Sequence, residues 1–308
     1  MKIKDIATKP QGEQVRFIGI LSEKKELEKK NGEKYLSIAC QDSTAKISFP
    51  AWDDFEILNE ALEVGQVIEV IGNVKYWENE AQIASPMMHI LDEEELKEVE
   101  ISNLVPSYEI TEDTTAELLE IIKSIKSPYK ELAIKATGAF NHDADRWKDF
   151  TTCVAASKHH GNKRGGLLLH TLGVVKMARL FLTNYSNTDK VVNLDRLTLK
   201  AIVHDIGKIR EYEWETFIRT KPGNVSHLYT GGIILTEANN QECKAEGVET
   251  EDVRLDEDEL NSLITTILSH HGEWGPMRPS EDNLEDWLLH LADMVDSRII
   301  GTLQKEGY

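Results

Sequence analysis

The sequence predicts two domains of different class, an all-β barrel followed by an all-α bundle. Two observations predict this. Short runs of alternating apolar and polar residues, broken by turn-forming residues, fill residues 13–91. After a polar stretch the apolar spacing becomes helical and stays so almost to the end.

In the first domain, residues 1–91, Val15–Leu21, Lys34–Cys40 and Ala45–Pro50 read as strands. Trp52–Leu62 reads as a helix, because Phe55, Leu58 and Leu62 recur at helical spacing. Val67–Tyr76 and Ala81–Ile90 complete the set, with Asn79 and Glu80 in the last turn. Three strands, a helix and two strands is the order of the OB-fold barrel, which binds oligonucleotides or oligosaccharides. Its ligand face lies between the first and last hairpin loops. The loop expected over Glu23–Glu33 brings Lys24 and Lys25, and Tyr76 and Trp77 lie near the last turn. Lysines can meet phosphates and aromatic rings can stack on bases. The competing reading is structural. The lysines alternate with Glu23, Glu26 and Glu28 as in a solvated hairpin, and Phe17, Trp52 and Phe55 read as core.

Residues 92–127 read as a linker and a leading helix, opening on the acidic run Asp92–Glu95 and including Pro106. Residues 128–308 form the second domain. Helices are expected at Glu117–Lys126, Tyr129–Phe140, Gly166–Leu182, Asn193–Arg210, Tyr229–Gln241, Asp258–His271 and Leu284–Ile300. The acidic stretch Gly247–Asp258 reads as a solvated loop.

The Asn193–Arg210 helix, NLDRLTLKAIVHDIGKIR, is central. Asn193 suits an N-cap and Asp195 the first turn. Inside it stand His204 and Asp205, then Gly207 and Lys208. Neighbours on a helix point about 100° apart, yet can share one ion placed over the ridge between them. An unpaired Asp beside Val203 and Ile206 would be costly to bury. Other helices offer further donors at the edge of an apolar stripe: His170 after Leu167–Leu169, His270 and His271 after Ile264 and Ile267, and Asp293 beside Leu291 and Val295. His227 lies in SHLYTGG, at a loop or a helix start. Any one of these alone reads as a hydrogen-bonded structural residue; together they suggest a metal centre.

The formal net charge of −19 argues against a general nucleic-acid surface. Its distribution is uneven. Residues 128–230 hold 16 Lys and Arg against 10 Asp and Glu, whereas residues 231–308 hold 5 against 18. The positive excess lies with the His-Asp pair, where a charged substrate could be drawn. Three scattered cysteines, Cys40, Cys153 and Cys243, suit a reducing cytoplasm and no disulfide framework. No long apolar run marks a membrane span, and MKIKDIATKPQGEQ has no secretory leader pattern. A cytoplasmic protein without a membrane partner is expected. The apolar helix ends and Leu303 offer a surface for a homo-oligomer.

GGLLLHTLGVV, AIVHDIGK, ILSHHGEW and LHLADMVDSR resemble the four signature helices of the HD-domain metal-dependent phosphohydrolases. The resemblance covers about residues 128–300. With HHGNKRGGLLLHT and the OB-like barrel in front, the chain looks more specifically like the YhaM-type 3′→5′ exoribonucleases of bacteria. It implies an all-α HD-domain helical bundle, with His170, His204, Asp205 and Asp293 as the core metal ligands. His227, His270 and His271 match the histidines used by members with a second metal. Alternatives stay open: His227 could instead meet a phosphate or cap a helix, and one of the adjacent pair could support the other. His290 is a candidate to support the ligands, and Asp296 reads as a decoy.

The resemblance further implies that Asp205 is catalytic as a bridging ligand, and that Lys208 is either a phosphate-neutralising group or a surface lysine paired with Glu211. The basic loop Lys158, His160, Lys163 and Arg164 would hold the phosphates of an incoming strand. The mixed His/carboxylate set suits one or two divalent ions, Mn²⁺ first, with Fe²⁺, Co²⁺, Ni²⁺ or Mg²⁺ as alternatives. The implied activity is 3′→5′ hydrolysis of single-stranded RNA, with single-stranded DNA as a further substrate, to nucleoside 5′-monophosphates. The alternatives are a nucleotide or cyclic-nucleotide phosphohydrolase with a regulatory barrel, and a di-iron oxygenase.

Overall fold

The computed structural model describes residues 1–100, 103–156, 161–183, 187–212 and 225–305. The chain divides into two compact units, Met1–Ser107 and Tyr108–Tyr308. The stretch read as a linker is therefore shared between them. Its leading helix joins the second unit, where Leu118 and Ile122 are fully buried in the helical core.

The first unit is a five-stranded antiparallel sheet in the order β3-β2-β1-β4-β5. The strands are β1 (Gln14–Glu28), β2 (Lys34–Gln41), β3 (Lys46–Ala51), β4 (Val67–Trp77) and β5 (Glu80–Ile90), with helix α1 (Phe55–Ala61) between β3 and β4. Strands β3 and β5 at the two edges also pack on each other, so the sheet curls into a barrel. Val15, Phe17 and Leu21 of β1, Leu36, Ile38 and Cys40 of β2, and Ile68, Val70 and Val74 of β4 point inward and are almost fully buried. The two-residue period places them there.

Three details differ from expectation. Strand β1 does not stop at Leu21. It continues past a bulge between Leu21 and Glu23 and pairs with β2 as far as Glu28↔Lys34. The Lys/Glu alternation that suggested a loop is the solvent-facing part of a ladder, in which Lys46 and Lys25 meet Glu23 and Lys34 meets Glu26. The turn shrinks to Lys29–Glu33, with Gly32 at φ +87°. The last turn falls one residue early, on Glu78 and Asn79, both at positive φ, as a tight hairpin turn needs. Trp52 is not core: it is 46% exposed and its ring lies 4.2 Å from that of Tyr35. Phe17 is core and Phe55 packs at its margin.

After α2 (Glu93–Lys97), the second unit is helical: α3 (Glu112–Ser124), α4 (Tyr129–Thr137), α5 (Ala144–Thr152), α6 (Gly166–Thr183), α7 (Leu194–Val203), α8 (Lys208–Glu211), α9 (His227–Asn239), α10 (Glu257–Ser269) and α11 (Leu284–Lys305). Helix α6 runs through the middle, packed on α11 and α7. It is long and apolar enough, by length and composition, to cross a bilayer, but half of that window is buried inside the domain, as befits a core helix.

The long helix expected over Asn193–Arg210 is broken. Asn193 does cap α7, its side chain accepting from the Asp195 and Arg196 amides. The helix then ends at His204, and α8 begins after Gly207. Gly207 lies so close to α9 that a Cβ would stand 1.9 Å from the His227 carbonyl oxygen. The break and the close approach go together, because only a glycine lets the turn seat on α9. Helix α9 starts two residues earlier than its apolar pattern suggests, since the Ser226 side chain accepts from the Leu228 amide. That puts His227 at the first helical position.

Candidate metal centre

Five structural positions aim their side chains at one buried point. His170 comes from α6, His204 and Asp205 from the break after α7, His227 from the start of α9, and His270 and His271 from the end of α10. Asp293 comes from α11. Each is placed by packing: the apolar stripe behind it is buried in the same core.

The donors form two groups that share Asp205. His170, His204 and Asp205 offer ligand atoms within 4.8 Å of one another, and so do Asp205, His227, His270 and His271. His170 Nε2 lies 3.1 Å from Asp293 Oδ1, which attaches that carboxylate to the first group. The two oxygens of Asp205 face opposite ways. Oδ2 is 3.5 Å from His170 Nε2 and 3.3 Å from His204 Nε2. Oδ1 is 3.5 Å from His227 Nε2 and 3.7 Å from His270 Nε2. Every residue expected as a metal ligand is thus in the cluster.

The orienting contacts fix which nitrogen is offered. His204 Nδ1 donates to the Ala201 carbonyl at 2.8 Å and His270 Nδ1 to that of Ile267 at 2.7 Å. Their Nε2 lone pairs are then free to face inward. His170 Nδ1 is held by Asp296 Oδ2 at 2.7 Å, and His227 Nδ1 by Glu211 Oε2. Gly173 makes room for Asp296: a Cβ there would stand 1.9 Å from Asp296 Oδ1. His290 donates to the His270 carbonyl at 2.6 Å and so supports that turn. Asp296 therefore stands behind a candidate ligand and not among the ligands, and Glu211 has a partner the sequence reading missed. The available signals were their spacings, three residues after Asp293 and three after Lys208, which put each on the face of a site residue.

The electrostatics match. Burial opposes the Asp205 charge, but Lys208 and His204 hold its carboxyl well below the usual range. Burial likewise opposes the Asp293 charge, and His170 overcomes it. Burial lowers the His170 pKa, but hydrogen bonds to Asp205, Asp293 and Asp296 raise it well above that of an ordinary histidine. Burial lowers the His270 pKa and, with His270 beside it, pushes His271 down to about 3. Lys208 is only 6% exposed and its ammonium sits on Asp205 Oδ2, so the surface-lysine alternative is removed.

Whether these residues suit an ion is tested by the atoms they leave over. Asp205 Oδ1, His227 Nε2 and His270 Nε2 are buried, face one another, and have no hydrogen-bond partner among the described residues. Orphaned buried acceptors are expensive unless a cation or donor completes them. Imidazole nitrogen and carboxylate oxygen are the donors that a borderline divalent ion prefers. The residues fit.

Elsewhere the expected contacts scatter. Lys163 Nζ lies 5.3 Å above the Tyr108 ring, and the Arg164 carbonyl accepts from the Tyr108 amide at 2.9 Å. Lys158 and His160 lie outside the described residues. In the barrel, Lys24 Nζ donates to the Asn59 and Leu62 carbonyls at 2.7 and 2.6 Å, closing the end of α1. Tyr76 Oη donates to the Ala7 and Lys9 carbonyls. Lys25 pairs with Glu23, and Trp77 is 59% exposed. The exposed ring that was missed is Trp52, tilted 33° against Tyr35 and covered by Lys29 Nζ at 5.1 Å.

The chain carries an OB-fold domain followed by an HD domain, and its similarities support a hydrolase. Residues 167–298 match the HD domain and residues 15–102 the OB-fold nucleic acid binding domain. Along most of its length the chain is similar to proteins named 3′-5′ exoribonuclease YhaM. That of Bacillus pumilus is 24% identical over 302 residues, 96% of this chain and 88% of the relative. Those of Listeria welshimeri and Bacillus subtilis are each 26% identical, over 87% of this chain and 80% of theirs.

Proposed function

We propose that this protein is a metal-dependent 3′→5′ exoribonuclease that shortens single-stranded RNA to nucleoside 5′-monophosphates. The observation that carries the reading is the convergence of His170, His204, His227, His270, His271, Asp205 and Asp293 on one buried point, with inward atoms left unpaired. The similarity to YhaM-named proteins and the OB-fold domain supply the substrate class.

His170, His204, Asp205 and Asp293 would hold one divalent ion, and Asp205, His227, His270 and His271 a second; Mn²⁺ is the ion proposed first, with Fe²⁺, Co²⁺ or Ni²⁺ also compatible with the mixed imidazole and carboxylate donors. Such ions lower the pKa of bound water and screen phosphoryl charge. Asp205 is the residue that joins the two sites, because each of its oxygens faces one of them. Lys208 keeps Asp205 ionised, and its ammonium is the cation nearest to any phosphate held there. Lys163 and Arg164 supply positive charge to the strand. Cleavage of the last P–O3′ bond transfers the water oxygen to phosphorus. It releases a 5′-monophosphate and leaves a new 3′-hydroxyl for the next cycle.

In the barrel, Tyr35, Trp52 and Lys29 form the platform best suited to bases and phosphates, with Trp77 near the last turn. The test uses a 5′-labelled single-stranded RNA with Mn²⁺, beside matched DNA and free mono- and cyclic nucleotides. A ladder descending from the 3′ end with mononucleotide products is expected. Turnover of free nucleotides with the RNA left intact would refute the reading.

A further inference from the structure

Each half of the centre has its own carboxylate behind it, and the two halves differ from their backbone-held members. His204 and His270 are oriented by carbonyls of their own helices, so their orientation comes with the helix itself. His170 and His227 depend on side chains from elsewhere in the chain. Asp296 of α11 holds His170 of α6. Glu211 of α8 holds His227 of α9 twice, since its Oε2 accepts both the His227 main-chain N–H at 3.0 Å and the Nδ1–H. Glu211 is 3% exposed, so little water competes for that oxygen.

Resting on the metal reading above, we propose that Asp296 and Glu211 are positioning residues for separate ions, so that the two sites can be emptied one at a time. The physical reason is local. Removing the acceptor behind a ligating imidazole frees the ring to rotate and to change tautomer, and such losses typically weaken a metal site about 10- to 100-fold. The ring that is freed belongs to only one group. Asp205, the shared member, touches neither carboxylate and stays held by Lys208.

The experiment is a Mn²⁺ titration of the full chain followed by electron paramagnetic resonance, without RNA, so that a failure to cleave RNA cannot be confused with its outcome. Wild-type protein is expected to take up two ions. In Glu211→Ala one ion keeps its affinity and the other weakens about 10- to 100-fold. Asp296→Ala weakens one ion to a similar degree, and the double variant weakens both. The acceptor-retaining variants Glu211→Gln and Asp296→Asn recover most of the lost affinity, which a merely destabilised fold would not do. The proposal is overturned if either single variant weakens both ions alike, if neither weakens any, if the amide variants are as poor as alanine, or if the wild type binds a single ion.

Discussion

Asp205 faces both groups, one with each oxygen, and among the described residues no other side chain belongs to both. Asp205→Asn keeps the size but gives up the charge and one acceptor. We expect RNA hydrolysis to fall by roughly 10³-fold or more, since ion-held charge stabilisation is worth several kcal/mol. RNA affinity in a filter-binding assay should change little, because the barrel is untouched; equal loss of both would point to unfolding instead. At the same scale, burial raises the Cys40 and Cys153 thiols to about 12. At pH 8 only about one thiol in 10⁴ would then be ionised. A thiol-reactive dye should leave both unmodified in the native protein and label them once it is denatured. The candidate ligands were legible in the sequence because most of them stand at the edge of an apolar helical stripe. Their orienting partners were not: spacing puts Glu211 and Asp296 on the right helix faces, but Glu211 reaches His227 across 16 residues and Asp296 reaches His170 across 126, and periodicity does not name such partners.

Among the elements, α7 is tied to α10 and α11 by buried ionic groups. Lys200, 1% exposed, lies 2.8 Å from Asp286 and 3.2 Å from Glu285; Arg196 spans Glu285 and Glu259. Lys200→Met would leave the buried Asp286 without its cation, whereas Glu285 keeps Arg196, and we expect a loss of about 3–5 kcal/mol in denaturant unfolding. Arg210→Met, which breaks the partly exposed pair with Glu237, should cost under about 1 kcal/mol. Comparable losses in the two variants would contradict this ranking. The main helices of this domain were legible from their period. The break between α7 and α8 was not, because it is set by how closely Gly207 meets α9. In the barrel, the extension of β1 was hidden because a charged ladder and a charged loop have the same composition; only the partner strand tells them apart.

For the molecule as a whole, the charge argument from composition needs correcting by place. A chain of net −19 can still hold RNA if its cations are gathered where strands are held. Trp52 is the test of this in the barrel. Trp52→Ala should weaken binding of single-stranded RNA by roughly 1–3 kcal/mol, about 5- to 150-fold in Kd. Cleavage of saturating RNA should continue at its wild-type rate, and unchanged affinity would remove Trp52 from the interface. Fold class was legible throughout because a period of two and a helical period cannot be confused over such lengths. The exposed Tyr35–Trp52 pair was not, since an aromatic residue at the start of a helix is ordinarily core.

Gly173 carries a consequence for engineering. Replacing a mid-helix glycine by alanine usually strengthens a helix by about 0.5–1 kcal/mol. Here the added methyl would claim the space of a carboxylate on another helix. A thermostability screen run on metal-free protein would therefore be blind to the damage, and could select a sturdier chain whose donor cluster no longer holds the proposed ion.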